Sequence, residues 1–75
     1  MRILITDWNI GLNKIGLTKA IRESTGLSLN EAKMLTDRVL GGEQVELLIQ
    51  DEGKARSFIE EAAALGAVVT CETPH

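Results

Sequence analysis

Cationic side chains dominate the part of this sequence that could do chemistry. Lys14, Lys19, Arg22 and Lys33 fall in one short stretch, interleaved with Ile15 and Thr18. On a helix, Lys14, Thr18 and Arg22 repeat at i, i+4 and i+8 and share a stripe. Cations at such spacings repel one another by a few tenths of a kcal/mol each. The stripe therefore reads either as a solvated helix face balanced by Glu23 and Glu31, or as a docking surface for an acidic partner.

Other chemistries have less to work with. The single histidine, His75, follows Pro74 at the chain end, where nothing in the sequence holds a general base within reach of its proton. Cys71 sits in a strand-like run with no basic neighbour to activate it, so it is expected to be a buried structural thiol. With one His, one Cys and no CxxC, no metal site is expected, and Asp51-Glu52 reads as the acidic start of a helix. The glycines form no phosphate-cradling loop. Phe58 falls mid-stripe in an amphipathic pattern and is assigned to the core. Trp8, beside an irregular segment, suits a core-edge position or a partner contact. Two aromatics without a domain-wide basic excess make no base-stacking platform. The expectation is a non-enzymatic protein with no cofactor and no nucleic-acid ligand.

Composition agrees. The chain has 75 residues, 44% of them hydrophobic and 25% charged, with a formal charge of −3. One small domain over residues 1–75 is expected, because two cores cannot be built from so few residues. Residues 14–38 hold Lys14, Lys19, Arg22, Lys33 and Arg38 against Glu23, Glu31 and Asp37, whereas the remainder is strongly acidic. A nucleic-acid binder gains its affinity from a basic excess; here only the middle is basic. There is no membrane-length apolar run and no leader-like start, and the cytoplasm is the expected compartment.

Six elements must position the cationic stretch. Arg2–Asp7 reads as a strand whose consecutive apolar residues suit a central place in a sheet. Asn13 is placed to cap a helix carrying Leu17, Ala20, Ile21 and Ser24 on one face; Gly16 costs it ~1 kcal/mol of propensity, which is tolerated if a neighbouring backbone or a partner comes close there. Gly26 ends that helix. Ser28 and Glu31 form a capping box for a second helix with Leu29, Ala32, Leu35, Thr36, Val39 and Leu40 on one face. Gly41-Gly42 stops it. Gln44–Ile49 alternates as a strand, and Asp51 caps a third helix bearing Ala55, Phe58, Ile59, Ala62 and Leu65. Gly66 closes that helix and Ala67–Glu72 is the last strand. The expected fold is α+β, in the order β-α-α-β-α-β. The first strand lies between the other two, antiparallel to both, and the helices pack on one face.

The run Asn13-Lys14-Ile15, then Thr18-Lys19-Ala20-Ile21-Arg22, then Thr25-Gly26-Leu27-Ser28-Leu29-Asn30-Glu31-Ala32-Lys33 closely resembles the C-terminal domain of the bacterial ribosomal stalk protein, the L seven/twelve family. The likeness extends more loosely to residue 72. It implies the same fold and a role in capturing translational GTPases, elongation factors Tu and G among them. The residues it implies for partner binding are Lys14, Ile15, Thr18, Lys19, Arg22, Glu31 and Lys33. Thr18 departs from the family, which usually has an aliphatic residue there, and the Pro- and Lys-rich stretch common after the second helix is missing. The sequence starts directly before its first strand, without the family's dimerisation segment and Ala-rich hinge, so a stand-alone domain is expected. An adaptor of the same fold with a non-ribosomal partner, comparable to Clp protease adaptor S, is the alternative.

Overall fold

The computed structural model describes residues 1–72; the readings of Pro74 and His75 lie outside the described residues. The chain runs β1 (Arg2–Trp8), α1 (Lys14–Thr25), α2 (Leu29–Leu40), β2 (Val45–Leu48), α3 (Glu52–Leu65) and β3 (Ala67–Glu72). The sheet order is β2-β1-β3, with β1 antiparallel to both neighbours. This is the α+β arrangement expected from the sequence. Helices α2 and α3 lie against the sheet, and α1 packs on both of them.

Strand alternation divides the sheet into two unlike faces. Ile3, Ile5, Val45, Leu47 and Ala67 point into the core, where they meet Leu17, Ala20, Ile21, Ala32, Val39, Phe58 and Ala62 from the helices. The other face carries Arg2, Leu4, Glu46, Leu48 and Thr70. Only Leu4 is buried there. The Arg2 guanidinium reaches Glu46 on one flanking strand and Glu72 on the other, both at 3.0 Å.

A register shift between Ile5 and Asp7 breaks the alternation of β1. Without the extra residue Trp8 would share the open face with Arg2 and Leu4. With it Trp8 pairs with Ala67 and packs half-buried against the core. Of the two roles open to Trp8, the geometry supplies the core-edge one.

Caps fix the helix ends. Asn13 Oδ1 accepts from Gly16 N–H at 2.9 Å, and Asp51 Oδ1 accepts from Lys54 N–H at 3.1 Å. Ser28 Oγ accepts from Glu31 N–H at 3.3 Å. The return bond of the capping box, from Ser28 N–H to the Glu31 carboxylate, is not made among the described residues. Gly26 and Gly66 both close their helices in the left-handed region. Gly16 sits under Leu65: a Cβ there would lie 2.8 Å from Leu65 Cδ2 and 3.0 Å from the amide nitrogen of Asn13. The close approach is thus a side chain and a cap, not the neighbouring backbone or partner the sequence suggested.

Cys71 corrects an expectation. It is a free, exposed thiol rather than a buried one. β3 is an edge strand whose burial falls away along its length, from Ala67 to the exposed Thr70, Cys71 and Glu72. The pattern of residue types in 67–72 matches a buried strand, but the helices do not cover its far end.

Candidate functional site

Two helices joined by a short turn leave a groove between them wherever their facing side chains are short. Along the line of contact between α1 and α2 those side chains are Thr18 and Thr36. The resulting groove, about 480 Å³, is lined by Lys14, Ile15, Thr18, Lys19, Arg22, Leu29, Lys33, Thr36 and Asp37. Six of the seven residues expected at the site therefore meet around one depression. Glu31 does not line it; it occupies the exposed first turn of α2, where its charge complements the helix dipole.

The groove is cationic at its rim. Lys14, Lys19 and Arg22 come from α1 and Lys33 from α2, opposed within the lining by Asp37 alone. Lys19 approaches Glu23 at 4.0 Å, but the two side chains are 74% and 59% exposed, so solvent screens the pair heavily. Among the described residues Lys14, Arg22 and Lys33 form no salt bridge. The reading in which Glu23 and Glu31 neutralise the stripe is met only by that long contact.

Apolar surface stands beside the charge. Ile15 is 85% exposed and Leu29 45% exposed, both on the groove. Single exposed aliphatics are ordinary on a small domain, whereas apolar surface rimmed by charged residues marks an interaction site. Ile10, at the tip of the segment before α1, is fully exposed as well.

Thr18 is placed differently from the stripe drawn on a bare helix. It is turned inward and only 8% exposed, and its hydroxyl lies 2.9 Å from Lys14 O and 2.8 Å from Thr36 Oγ1. Thr36 Oγ1 in turn lies 3.1 Å from Ala32 O. The threonines form the floor of the groove, while Lys14 and Arg22 stand at its edge. Leu29, Thr36 and Asp37 are groove residues that the sequence reading did not assign to the site. Leu29 and Thr36 fall on the single apolar stripe of α2, and that stripe faces α1 as well as the sheet.

Among the described residues no group of three or more His, Cys, Asp or Glu is placed to hold a metal ion, and no helix is long and apolar enough to cross a membrane.

No protein-family model matches the chain. Individual proteins do. Large ribosomal subunit protein bL12 of Herminiimonas arsenicoxydans is 39% identical over 62 residues, covering 83% of this chain and 48% of the relative. The bL12 protein of Xanthomonas euvesicatoria is 46% identical over 57 residues, covering 75% and 46%. That of Acinetobacter baylyi is 42% identical over 73 residues, covering 87% and 55%. The chain thus spans about half the length of the relatives it matches, and the resemblance to the C-terminal domain of the L seven/twelve family rests on most of its own length.

Proposed function

We propose that the chain is a non-enzymatic protein-binding module whose α1–α2 groove takes an acidic surface of a translational GTPase, elongation factors Tu and G being the first candidates, or of another ribosome-associated factor. The observation that carries this reading is the gathering of Lys14, Lys19, Arg22 and Lys33 from two helices around one groove in an otherwise acidic chain. Similarity to ribosomal bL12 proteins supports it and favours a cytoplasmic setting.

The physics of capture has two stages. Unpaired cations at the rim draw an acidic partner in and orient it, which acts mainly on the association rate. Ile15 and Leu29 then supply apolar contact that lengthens the complex lifetime. Arg22 can engage a carboxylate through two parallel hydrogen bonds, which Lys14, Lys19 and Lys33 cannot. Neither a cofactor nor a metal is required for any of this.

The test is an NMR titration of isotope-labelled chain with elongation factors Tu and G. Shifts confined to residues 14–37, lost when Lys19 and Arg22 are both changed to Glu, are expected. Unchanged affinity of that double variant at low salt would overturn the reading. Recovery of proteolytic components in place of translation factors in a pull-down would also overturn it, in favour of the adaptor alternative.

A further inference from the structure

We propose that the free edge of β3 pairs with the same edge of a second copy of this chain, antiparallel and centred on Thr70, so that the two sheets continue into one. This does not depend on the groove being a binding site, since no residue of β3 lines it.

The two edges of the sheet are unlike. β2 has only four residues, Glu46 among them, and short charged edges resist further pairing. β3 has six, and Ala67-Val68-Val69-Thr70-Cys71 carries no charge and no proline. Val68, Val69 and Thr70 are β-branched in succession, which favours an extended backbone. The irregularity on this side of the sheet belongs to β1. Ile5 and Asp7 face the consecutive Val69 and Val68, so Thr6 is the extra residue and β3 itself alternates without a break. None of the usual devices that blunt a strand edge falls on residues 67–71.

Backbone direction shows which groups are open. Asn9 N–H donates to Gly66 O at 2.8 Å, flanking the Trp8–Ala67 pair, and the Thr6 hydroxyl donates to Val68 O at 3.4 Å. The carbonyls of Gly66 and Val68 therefore face β1, and alternation turns the amides and carbonyls of Ala67, Val69 and Cys71 toward the free edge. Ala67 is only 4% exposed, which closes that end. Val69 is half-buried and Cys71 exposed, and among the described residues their backbone groups make no bond outside the sheet.

Those four groups define the occupant. Two donors and two acceptors at Val69 and Cys71 complement themselves about a two-fold axis. Val69 of each copy exchanges two hydrogen bonds with Cys71 of the other, and no group is left over. Thr70 then meets Thr70 of the second copy on the axis, in a pair without mutual hydrogen bonds whose Cα atoms are ~4.5 Å apart. Charge favours this orientation. It sets each Glu72 opposite Val68 of the other copy, whereas parallel pairing in register would bring the two Glu72 carboxylates together. A seam of four hydrogen bonds belongs with the small, transient interfaces, so the dimer forms at high concentration and separates on dilution.

Amide exchange and sedimentation velocity across a concentration series test this. Exchange at Val69 and Cys71 should slow as concentration rises, while Thr70, whose amide already faces β1, should not change. Cys71→Pro should fold, because proline is tolerated where an edge strand's N–H points outward. It removes two of the four bonds and should weaken self-association roughly tenfold; Cys71→Ser should leave it unchanged. In the Cys71→Ser background, Thr70→Cys should cross-link to itself under a disulfide-forming oxidant, its ~4.5 Å Cα separation falling within the ~4.4–6.8 Å that a disulfide spans. Val68→Cys should not, because in this register its mate is four residues away along the strand, about 13 Å. A sedimentation coefficient independent of concentration, or equal cross-linking of the two cysteine variants, overturns the inference and leaves the groove reading untouched. Should Cys71→Pro not fold, the cysteine pair decides alone.

Discussion

Thr18 Oγ1 and Thr36 Oγ1 lie 2.8 Å apart, a side-chain hydrogen bond that joins α1 to α2 at a point where neither residue is open to solvent. Either threonine can lose its partner without being stranded, because each still has its own helix carbonyl within reach. Thr18→Val and Thr36→Val are therefore each expected to shift stability by no more than about 1 kcal/mol, the net worth of one neutral hydrogen bond. The double substitution should keep the fold. Urea denaturation of the three variants checks this; a single substitution costing about 3 kcal/mol or more would mean that a polar group is left unpaired after all.

Two glycines that look alike in sequence should respond differently in size. At Gly16 the helix gains ~1 kcal/mol of propensity from Ala, yet the new methyl meets Leu65 Cδ2 at 2.8 Å and crowds the Asn13 cap. Gly16→Ala is expected to be destabilising by about 1 kcal/mol net, in the ordinary range for point substitutions. Adding Leu65→Ala should recover part of that loss. At Gly66, φ is 106° and a Cβ would sit 3.1 Å from Leu12 Cα. Left-handed geometry alone costs a non-glycine residue about 1–2 kcal/mol, and here backbone crowding is added. Gly66→Ala should lower the thermal midpoint more than Gly16→Ala; the opposite ranking would contradict this account.

Much of this fold could be read from local sequence because its boundaries are marked by local chemistry. Asn13, Ser28 and Asp51 each accept at the start of the helix they were expected to cap, and Gly26 and Gly66 close theirs with positive φ. Strand order followed from topology, since the α3 crossover makes β2 and β3 parallel and leaves the middle for β1. What stayed hidden depends on contacts between distant segments. The register shift at Ile5/Asp7 reverses the face of Trp8, and no residue type near it announces an extra residue in the strand. Thr18 lies in line with Lys14 and Arg22 on an isolated helix, but α2 packs close enough to draw it inward, so the stripe became a rim with a polar floor. Leu29 and Thr36 belong to a face that serves core and groove at once.

Cys71 offers a direct check on the far end of β3. An exposed thiol reacts with a disulfide reagent in the folded protein, so one full equivalent should be modified in native buffer at a rate close to that in denaturant. Cys71→Ser should change stability by less than about 0.5 kcal/mol, as expected of a surface position. Protection of the thiol until the chain unfolds would show that the strand end is covered in solution.

The division of the cations between groove and remaining surface gives the most discriminating test of the binding proposal. Lys33 is on a different helix from Lys19 and Arg22, yet all three line the same groove. Arg38, also on α2, does not line it, and Arg56 is held by Glu52 at 2.7 Å on α3. If sequence proximity governed, Lys33 and Arg38 would behave alike. If the groove governs, Lys33→Glu should weaken binding to a translational GTPase roughly tenfold at low salt, mainly through slower association, whereas Arg38→Glu and Arg56→Glu should each fall within about twofold of the natural chain. Raising the ionic strength should shrink the Lys33 effect, because exposed charges more than ~10 Å apart are largely screened at 0.1 M salt. Stopped-flow association measured across a salt series separates these outcomes, and equal losses from Lys33→Glu and Arg38→Glu would show that net charge, and not the groove, recruits the partner.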